Sequence, residues 1–484
     1  MLNFNKQLRL SPFSGIYDAV ISGNHLLRKI KESVDFSFIN ELMKSSYCET
    51  FGRPAYEPEM MMKLLFLKIL YDISDRDLES RANTDMAFKF FLDLEPDDTI
   101  PHNSLLAKFR GQRISEDMLE EFLNQTIAQA VEKKLIKSTA IIVDSTHTKS
   151  KHSQQTPTQI LREMSKELRK EIYKSQYMIS DNFPEKPSMN DTIEDEIEYT
   201  KKLIKAIENS DKLKSEIAKK QLVKIKETLD LPNLKELQSS YEKDAKIGHK
   251  SKTDEFFGYK NHIAITEDEQ LITALEVTNG NAADTKSFEN IIDKTLETGI
   301  EVIEIIGDTA YSGKSNLQYS KDKNIKLISK LNPRVGSIEK FDNYVFFNKD
   351  AGTYECKNGC LAAMQKSGNL RSGGQKIEFN FRSLDCKNCT YFKKCVGEKT
   401  KPFRRVYSSE MAKIYDEQKV FQETDYFKER YRRRPIIEGK NADLKQNYGL
   451  KRTHGTGLFS MKVQAFLTAF TANARKITRL ATGV

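Results

Sequence analysis

Two apolar runs, each closed by an aspartate, constrain the fold more than any other feature of the chain. The first is TAIIVDST, Thr139 to Thr146, and the second is GIEVIEIIGD, in which Val302 to Ile306 lead into Gly307 and Asp308. A short, continuous apolar run reads as a strand buried on both faces, the setting of a central strand flanked by helices. Ligand sites in open α/β sheets lie outside the carboxyl ends of the strands. Asp144 and Asp308 therefore stand where reactive acids belong, and an aspartate that merely closes a strand as a turn residue is the plainer alternative. If the two runs are neighbours and parallel, the two acids lie side by side. Between them, FFGYKNHIAITEDEQLITALEVTNGN alternates on either side of a polar turn at Glu267 to Gln270, the pattern of an antiparallel hairpin. Asp284 is placed to cap a helix running to Thr298, and IKLISKL adds a short strand near Leu327. The expectation is an α/β fold around a mixed sheet.

A third acid sits far downstream in YRRRPIIEGKNADLK, Tyr431 to Lys445. Tyr431, Arg434, Glu438 and Lys445 recur at helical spacing. Pro435 is tolerated only in a first helical turn, so the helix is expected to begin there, with Tyr431 and Arg434 on its approach. Glu438 and Lys445 then share one face; a solvated, charged helix end is the competing reading. Charge favours the functional one. The chain carries 78 Lys and Arg against 69 Asp and Glu, a formal charge of +9. From Arg430 to Val484 there are 12 Lys and Arg against 2 Asp and Glu, so the tail accounts for the whole excess. A concentrated basic segment around a lone acid points to a polyanion, most simply nucleic acid.

Three carboxylates, Asp144, Asp308 and Glu438, are hard oxygen donors suited to Mg2+ or Mn2+. Two such ions about 3.5–4 Å apart activate an attacking oxygen and steady a leaving one in phosphodiester displacement. Arg434 would hold a backbone phosphate bidentately and Lys445 as a point charge. His147 is placed either to touch substrate or to fill an ordinary polar role. No Walker motif, nucleophile elbow or HExxH spacing competes. At 484 residues, with 38% hydrophobic and 30% charged, the chain is globular, and at this length two or three domains are expected. It shows neither a signal peptide nor an apolar run of membrane-spanning length, so a cytoplasmic protein with no membrane partner is expected.

Four regions follow. Residues 1–135 read as a helical domain. It contains two short helices, Ser74 to Leu92 and Pro101 to Ile114, the second bearing Lys108, Arg110 and Arg113; the pair reads as a DNA-contacting helix-turn-helix or as part of an ordinary bundle. Residues 136–332 hold the first part of the sheet core. They are interrupted at 149–250 by a Lys- and Glu-rich helical insertion, with helical spacing at Leu161, Met164, Leu168 and Ile172 and again at Leu213, Ile217 and Ile225. Residues 333–402 form a small β insertion crowded with cysteines. Cys386-x2-Cys389 has the spacing of a zinc knuckle, and Cys395 with Cys356 would complete a tetrahedron, Cys360 being the rival of Cys356; buried free cysteines are the alternative. Residues 403–484 return to the core and end in an amphipathic helix with a stripe of Val463, Phe466, Phe470 and Ile477, while Arg475, Lys476 and Arg479 face elsewhere.

With these residues in view, the chain resembles a bacterial insertion-sequence transposase of the DDE type, in the branch with a Tyr-(2)-Arg-(3)-Glu-(6)-Lys signature. Tyr431, Arg434, Glu438 and Lys445 match that spacing, as do the acid contexts IIVDST and IIGDTAYSG and the stretch FGRPAYEPEMMMKLLFLKILYDISDRDLE. The Cys-rich insertion between the second Asp and the Glu also recurs in relatives. Pro435 after the arginine and PHNS at 101–104 depart from the pattern. The resemblance implies a ribonuclease-H-like core and metal-dependent cleavage and strand transfer of element-end DNA without a covalent protein intermediate, so that Tyr431 is not a nucleophile. It further implies Arg434, Lys445 and Tyr431 near DNA, double-stranded element ends and target as partners, and a homodimer during synapsis. The rival functions are a metal-dependent nuclease on the same fold and a non-catalytic, zinc-containing DNA-binding protein.

Overall fold

Six strands form one mixed sheet: β1 (Ala140–Lys149), β2 (Lys246–His249), β3 (Glu255–Thr266), β4 (Ile272–Asn279), β5 (Glu304–Ile306) and β6 (Lys326–Ile328). Their order is β2-β3-β1-β5-β6, with β4 also paired to β3. The two apolar runs are neighbours and parallel, as expected, with Ile142 opposite Ile306. β3 and β4 make the antiparallel hairpin, Ile263 opposite Leu275. The computed structural model describes residues 15–48, 54–153, 155–175, 183–188, 192–208, 215–231, 242–249, 254–332, 344–348, 351, 353–369, 375–396, 403–409 and 412–483.

β1 corrects one expectation. Asp144 lies inside the strand, not at its carboxyl end. β3 pairs antiparallel with β1 from Ile141 to Lys149, which prolongs the strand well past the acid. β5 accompanies β1 only along Ala140–Ile142. Beyond Ile142, β5 no longer accompanies β1, which meets the chain again at Lys149 in an isolated parallel bridge with Arg452; Asp144 lies between the two.

Among the described residues, eight α-helices precede the sheet: α1 (Ile16–Val20), α2 (Leu26–Ser33), α3 (Phe38–Met43), α4 (Pro58–Leu70), α5 (Asp75–Thr84), α6 (Met86–Phe91), α7 (Asn103–Gln112) and α8 (Glu116–Glu132). The apolar run behind Pro58 is a buried helix, as its all-round composition implies. The stretch read as one helix from Ser74 is two, because Asp85 breaks it: its Oδ1 accepts from the Ala87 and Phe88 N–H groups at 2.9 and 3.3 Å and starts α6. The insertion contains α9 (Pro157–Ser175), α10 (Ile193–Glu208) and α11 (Glu216–Leu229). These three pack around their own cluster, including Leu168, Ile172, Leu203 and Ile225; Ile217 faces solvent instead, and Leu213 lies outside the described residues. α12 (Phe288–Glu297) and α13 (Lys314–Asp322) cover the sheet.

The Cys-rich region carries strands β7 (Val345–Asn348), β8 (Thr353–Cys356), β9 (Ala363–Asn369), β10 (Gln375–Asn380) and β11 (Arg405–Ser409) with the short helices α14 (Ser383–Lys387) and α15 (Phe392–Cys395). It too has a separate small core, around Phe379, Phe381 and Val406. The chain then returns through α16 (Ala412–Gln422), α17 (Asp425–Tyr431), α18 (Ile436–Asn447) and α19 (Leu458–Thr482).

α19 is buried on more sides than an amphipathic stripe predicts: every residue from Val463 to Ala474 is buried. It runs between β4 and the amino-terminal helices α2, α4 and α8. Phe470 meets Phe36 and Phe66 edge to face, at 5.6 and 6.0 Å between ring centres. One continuous apolar cluster therefore joins the amino-terminal helices, the sheet and the last helix. Truncating a buried phenylalanine at such a junction costs about 3–5 kcal/mol.

Candidate active site

The register of β1 and β5 sets the first two acids. Two residues past the Ile142–Ile306 pair come Asp144 on one strand and Asp308 just beyond the other. Gly307 makes the close approach possible, since a Cβ there would stand 3.0 Å from the Tyr311 ring and 3.1 Å from Val143. Asp308 opens a single helical turn, and its Oδ1 accepts from the Ala310 N–H at 2.7 Å. The Asp144 carboxyl is pushed up from the usual 3.8 to about 6, mainly by burial. The Ser145 N–H and Arg434 oppose that rise, while the charges of Asp308 and Asp284 add to it.

α18 brings the rest. Pro435 is its N-cap, so the helix begins where the proline requires, and Glu438 is in its first turn. Asn441, one turn on, donates from Nδ2 to Asp144 Oδ2 at 3.0 Å. Lys445, a further turn on, lies 3.4 Å from His147 Nδ1. Glu438 does not point at the two aspartates; its Oε1 accepts from Arg434 Nη1 at 2.9 Å. Tyr431 closes α17, stacked on Phe427 with ring centres 5.8 Å apart and with Lys330 Nζ 4.7 Å from its own ring. Burial pushes its phenol up, Arg434 opposes this, and Asp308 and Glu438 add to the rise, so the ring stands within the electrostatic reach of two acids.

The approach to α18 is pinned by buried ion pairs. Arg430 forks onto Glu267 at 3.0 and 2.7 Å and reaches Glu304 at 2.7 Å. Arg433 holds Glu267 at 2.6 Å and Asp268 at 2.8 Å. Glu267 and Glu304 are only 5% and 7% exposed, so these pairs tie α17 to the hairpin turn and to the base of β5.

Three further residues meet the site that the sequence did not assign to it. Asp284 does not cap a helix; it accepts from Lys260 Nζ at 2.9 Å and lies 3.8 Å from the ring Nδ1 of the fully buried His262. Tyr311 is 2% exposed and its hydroxyl has no hydrogen-bond partner, although Asp284, Asp144 and Asp308 all act on it and drive its pKa far up after burial has done so first. Asn441 is the third, and its Oδ1 is likewise buried without a partner.

These observations bear on a divalent cation. The facing carboxylates, the orphaned oxygens of Tyr311 and Asn441, and the all-oxygen chemistry fit a hard ion. Among the described residues no three His, Cys, Asp or Glu side chains converge closely enough to hold one without movement. Asp144 and Asp308 are neighbours by strand register, and Glu438 is paired with Arg434.

The remaining sequence candidates lie elsewhere. Lys108 is exposed on α7, which packs on α4, α5 and α19. Arg110, expected to face DNA, forks instead onto Asp75 at 3.0 and 2.5 Å, because the α5–α7 packing sets the two side by side. In the Cys-rich region, Cys356, Cys360, Cys386, Cys389 and Cys395 all line one cavity of about 30 Å³. The Cys356 and Cys360 thiols interact directly, and burial and the neighbouring sulfurs push the Cys360 and Cys386 thiols up.

Family models place the chain among known proteins. A transposase domain (DUF772) matches residues 16–112, and two transposase DDE domains match residues 232–348 and 355–478. Asp308 falls within the second of these segments and Glu438 within the third, while Asp144 lies between the matched segments. No curated protein matches the chain.

Proposed function

The chain belongs to the DDE transposases of insertion sequences, and on that premise we propose that Asp144, Asp308 and Glu438 are its catalytic acids on a ribonuclease-H-like core. The observation that carries the proposal is the level setting of Asp144 and Asp308 on adjacent parallel strands with α18 laid against them. The strand order supports the fold reading: three antiparallel strands, then two parallel to the first. The reaction is hydrolysis of a phosphodiester at each element end, in which the oxygen of water bonds to phosphorus and a 3′ oxygen leaves. Attack of that 3′-OH on target DNA follows.

Mg2+ or Mn2+ held by Asp144, Asp308 and Glu438 would supply positive charge to the attacking and leaving oxygens, in the manner of a two-metal site. The side chains of the chain do the rest. Asn441 orients the Asp144 carboxylate. Arg434, released from Glu438 when that acid turns inward, and Lys445 take backbone phosphates, the first as a fork and the second as a point charge. Tyr431 walls the site through its face and does not form a covalent bond. The amino-terminal helices of residues 1–135, with exposed Lys108, contact DNA, and two copies hold the two ends. Cys386, Cys389 and Cys395, with Cys356 or its rival Cys360 as the fourth ligand, would hold a structural zinc ion; the supporting observation is that all five line one cavity.

The test is cleavage of duplex DNA carrying the element end by purified protein. Glu438→Gln is expected to abolish cleavage and joining and to leave binding of the end largely intact. Full cleavage by that variant would sink the assignment. Cleavage by wild type without end preference or joining would favour a plain nuclease.

A further inference from the structure

α18 has two chemically opposed faces. Asn441 and Lys445 turn towards β1, where they reach Asp144 and His147. About half a turn round the helix, at roughly 100° per residue, Lys440 and Asp443 line a separate cavity of about 350 Å³. Arg475, Lys476 and Arg479 of α19 line it as well, so four cations and one acid share the space. The acid is engaged, since Asp443 Oδ1 accepts from Asn447 Nδ2 at 2.7 Å.

Lys440 is the anomaly. It is 6% exposed and, among the described residues, makes neither an ion pair nor a hydrogen bond. The other buried lysines are satisfied: Lys63 pairs with Glu59 and Asp93, and Lys89 donates to the Pro96 and Asp98 carbonyls. Burial pulls the Lys440 ammonium down to about 8; the charge of Asp443 opposes the fall and that of Lys476 adds to it. Burial and then Arg479 likewise depress Lys476. A buried cation without a partner is costly, and an anion in the cavity removes that cost. Arginine forks and a lysine point charge together are phosphate chemistry. Arg479 is exposed at the rim, so an extended polyanion can run past without having to be enclosed.

We propose that this cavity is a second DNA contact, in which Lys440, Arg475, Lys476 and Arg479 take a backbone phosphate of duplex DNA on the side of α18 turned away from the acids. The proposal rests on the DNA-acting reading and extends it. A strand-transfer enzyme must hold two duplexes, and one helix here offers a face to each.

The experiment is binding of a labelled duplex of arbitrary sequence, followed by fluorescence anisotropy over a salt series in EDTA, so that neither divalent ions nor cleavage contribute. The proteins are wild type, Lys476→Gln with Arg479→Gln, Lys440→Met, and a control, Lys462→Gln, which removes an α19 cation paired with Glu116 outside the cavity. The expected loss is about eightfold in affinity per phosphate contact at ~0.1 M salt, with the salt slope falling by about 0.9 per contact. Lys440→Met should bind more weakly yet melt no lower than wild type, which a merely structural lysine would not do. Wild-type affinity and slope in the folded double variant would overturn the proposal, as would an equal loss in the control. If inorganic phosphate raises the melting temperature of wild type but not of Lys440→Met, and DNA affinity is unchanged throughout, the site holds a small anion and the DNA assignment fails. A wild type that binds no duplex at all would instead remove the DNA-acting reading itself.

Discussion

Replacing Asp144 by Asn takes a titrating group out of a place that resists charge. Burial, Asp308 and Asp284 hold the Asp144 pKa at about 6, against 3.8 for an ordinary aspartate. A pKa raised in the folded state means that the native protein holds this proton more tightly than the unfolded chain does. The contribution is therefore fully present below the unfolded value, declines as pH rises, and is lost above about pH 6. At about 1.36 kcal/mol per unit, the ionised carboxylate costs the metal-free native state about 3 kcal/mol near pH 7.5 and about half that at pH 5. Asparagine keeps the shape and a side-chain oxygen for Asn441 Nδ2 but never ionises. In EDTA, Asp144→Asn should resist urea better than wild type, with the gap widening from pH 5 to pH 7.5. Added Mn2+ should then stabilise wild type and not the variant. A variant weaker than wild type at both pH values, or a gap indifferent to pH, would refute the electrostatic reasoning.

Arg430→Met should be among the more damaging single changes outside the apolar core. It leaves Glu304 buried without its partner and Glu267 with Arg433 alone, a loss of about 3–5 kcal/mol that urea unfolding would register; a change within experimental error would show that the pairs do not anchor α17. Purified, dialysed protein should carry about one equivalent of zinc, lost on replacing Cys386 and Cys389 together by serine. Metal analysis returning less than about half an equivalent for wild type would count against the zinc site.

The sheet was legible because its signals are local. An unbroken apolar run admits few other readings, and the pairing of the two runs put Asp144 and Asp308 level. The start of α18 was legible because proline allows little choice. What escaped the sequence was set by partners far along the chain. Asp144 falls inside β1 because β3, more than a hundred residues later, extends that strand past it. Asp284 looked like a cap but spends its carboxylate on Lys260 in a neighbouring strand. Tyr311 and Asn441 lie inside stretches read for their acids, and only the fold turns them to the site. Arg110 looked free because nothing in its own helix pairs with it, yet Asp75 is brought alongside by packing. The Arg434–Glu438 pair is the reverse case: its four-residue spacing is that of a helical ion pair, and the structure forms it.

The central claim is that Glu438, with the two aspartates, cuts element-end DNA. The most direct measurement is an excision assay in cells, with the gene and its native flanking DNA interrupting a reporter and compared with its Glu438→Gln twin. Reporter recovery, with joined-end product, from the wild type alone is the predicted result. Equal recovery from both would contradict the assignment of Glu438 and, with it, the catalytic site described above.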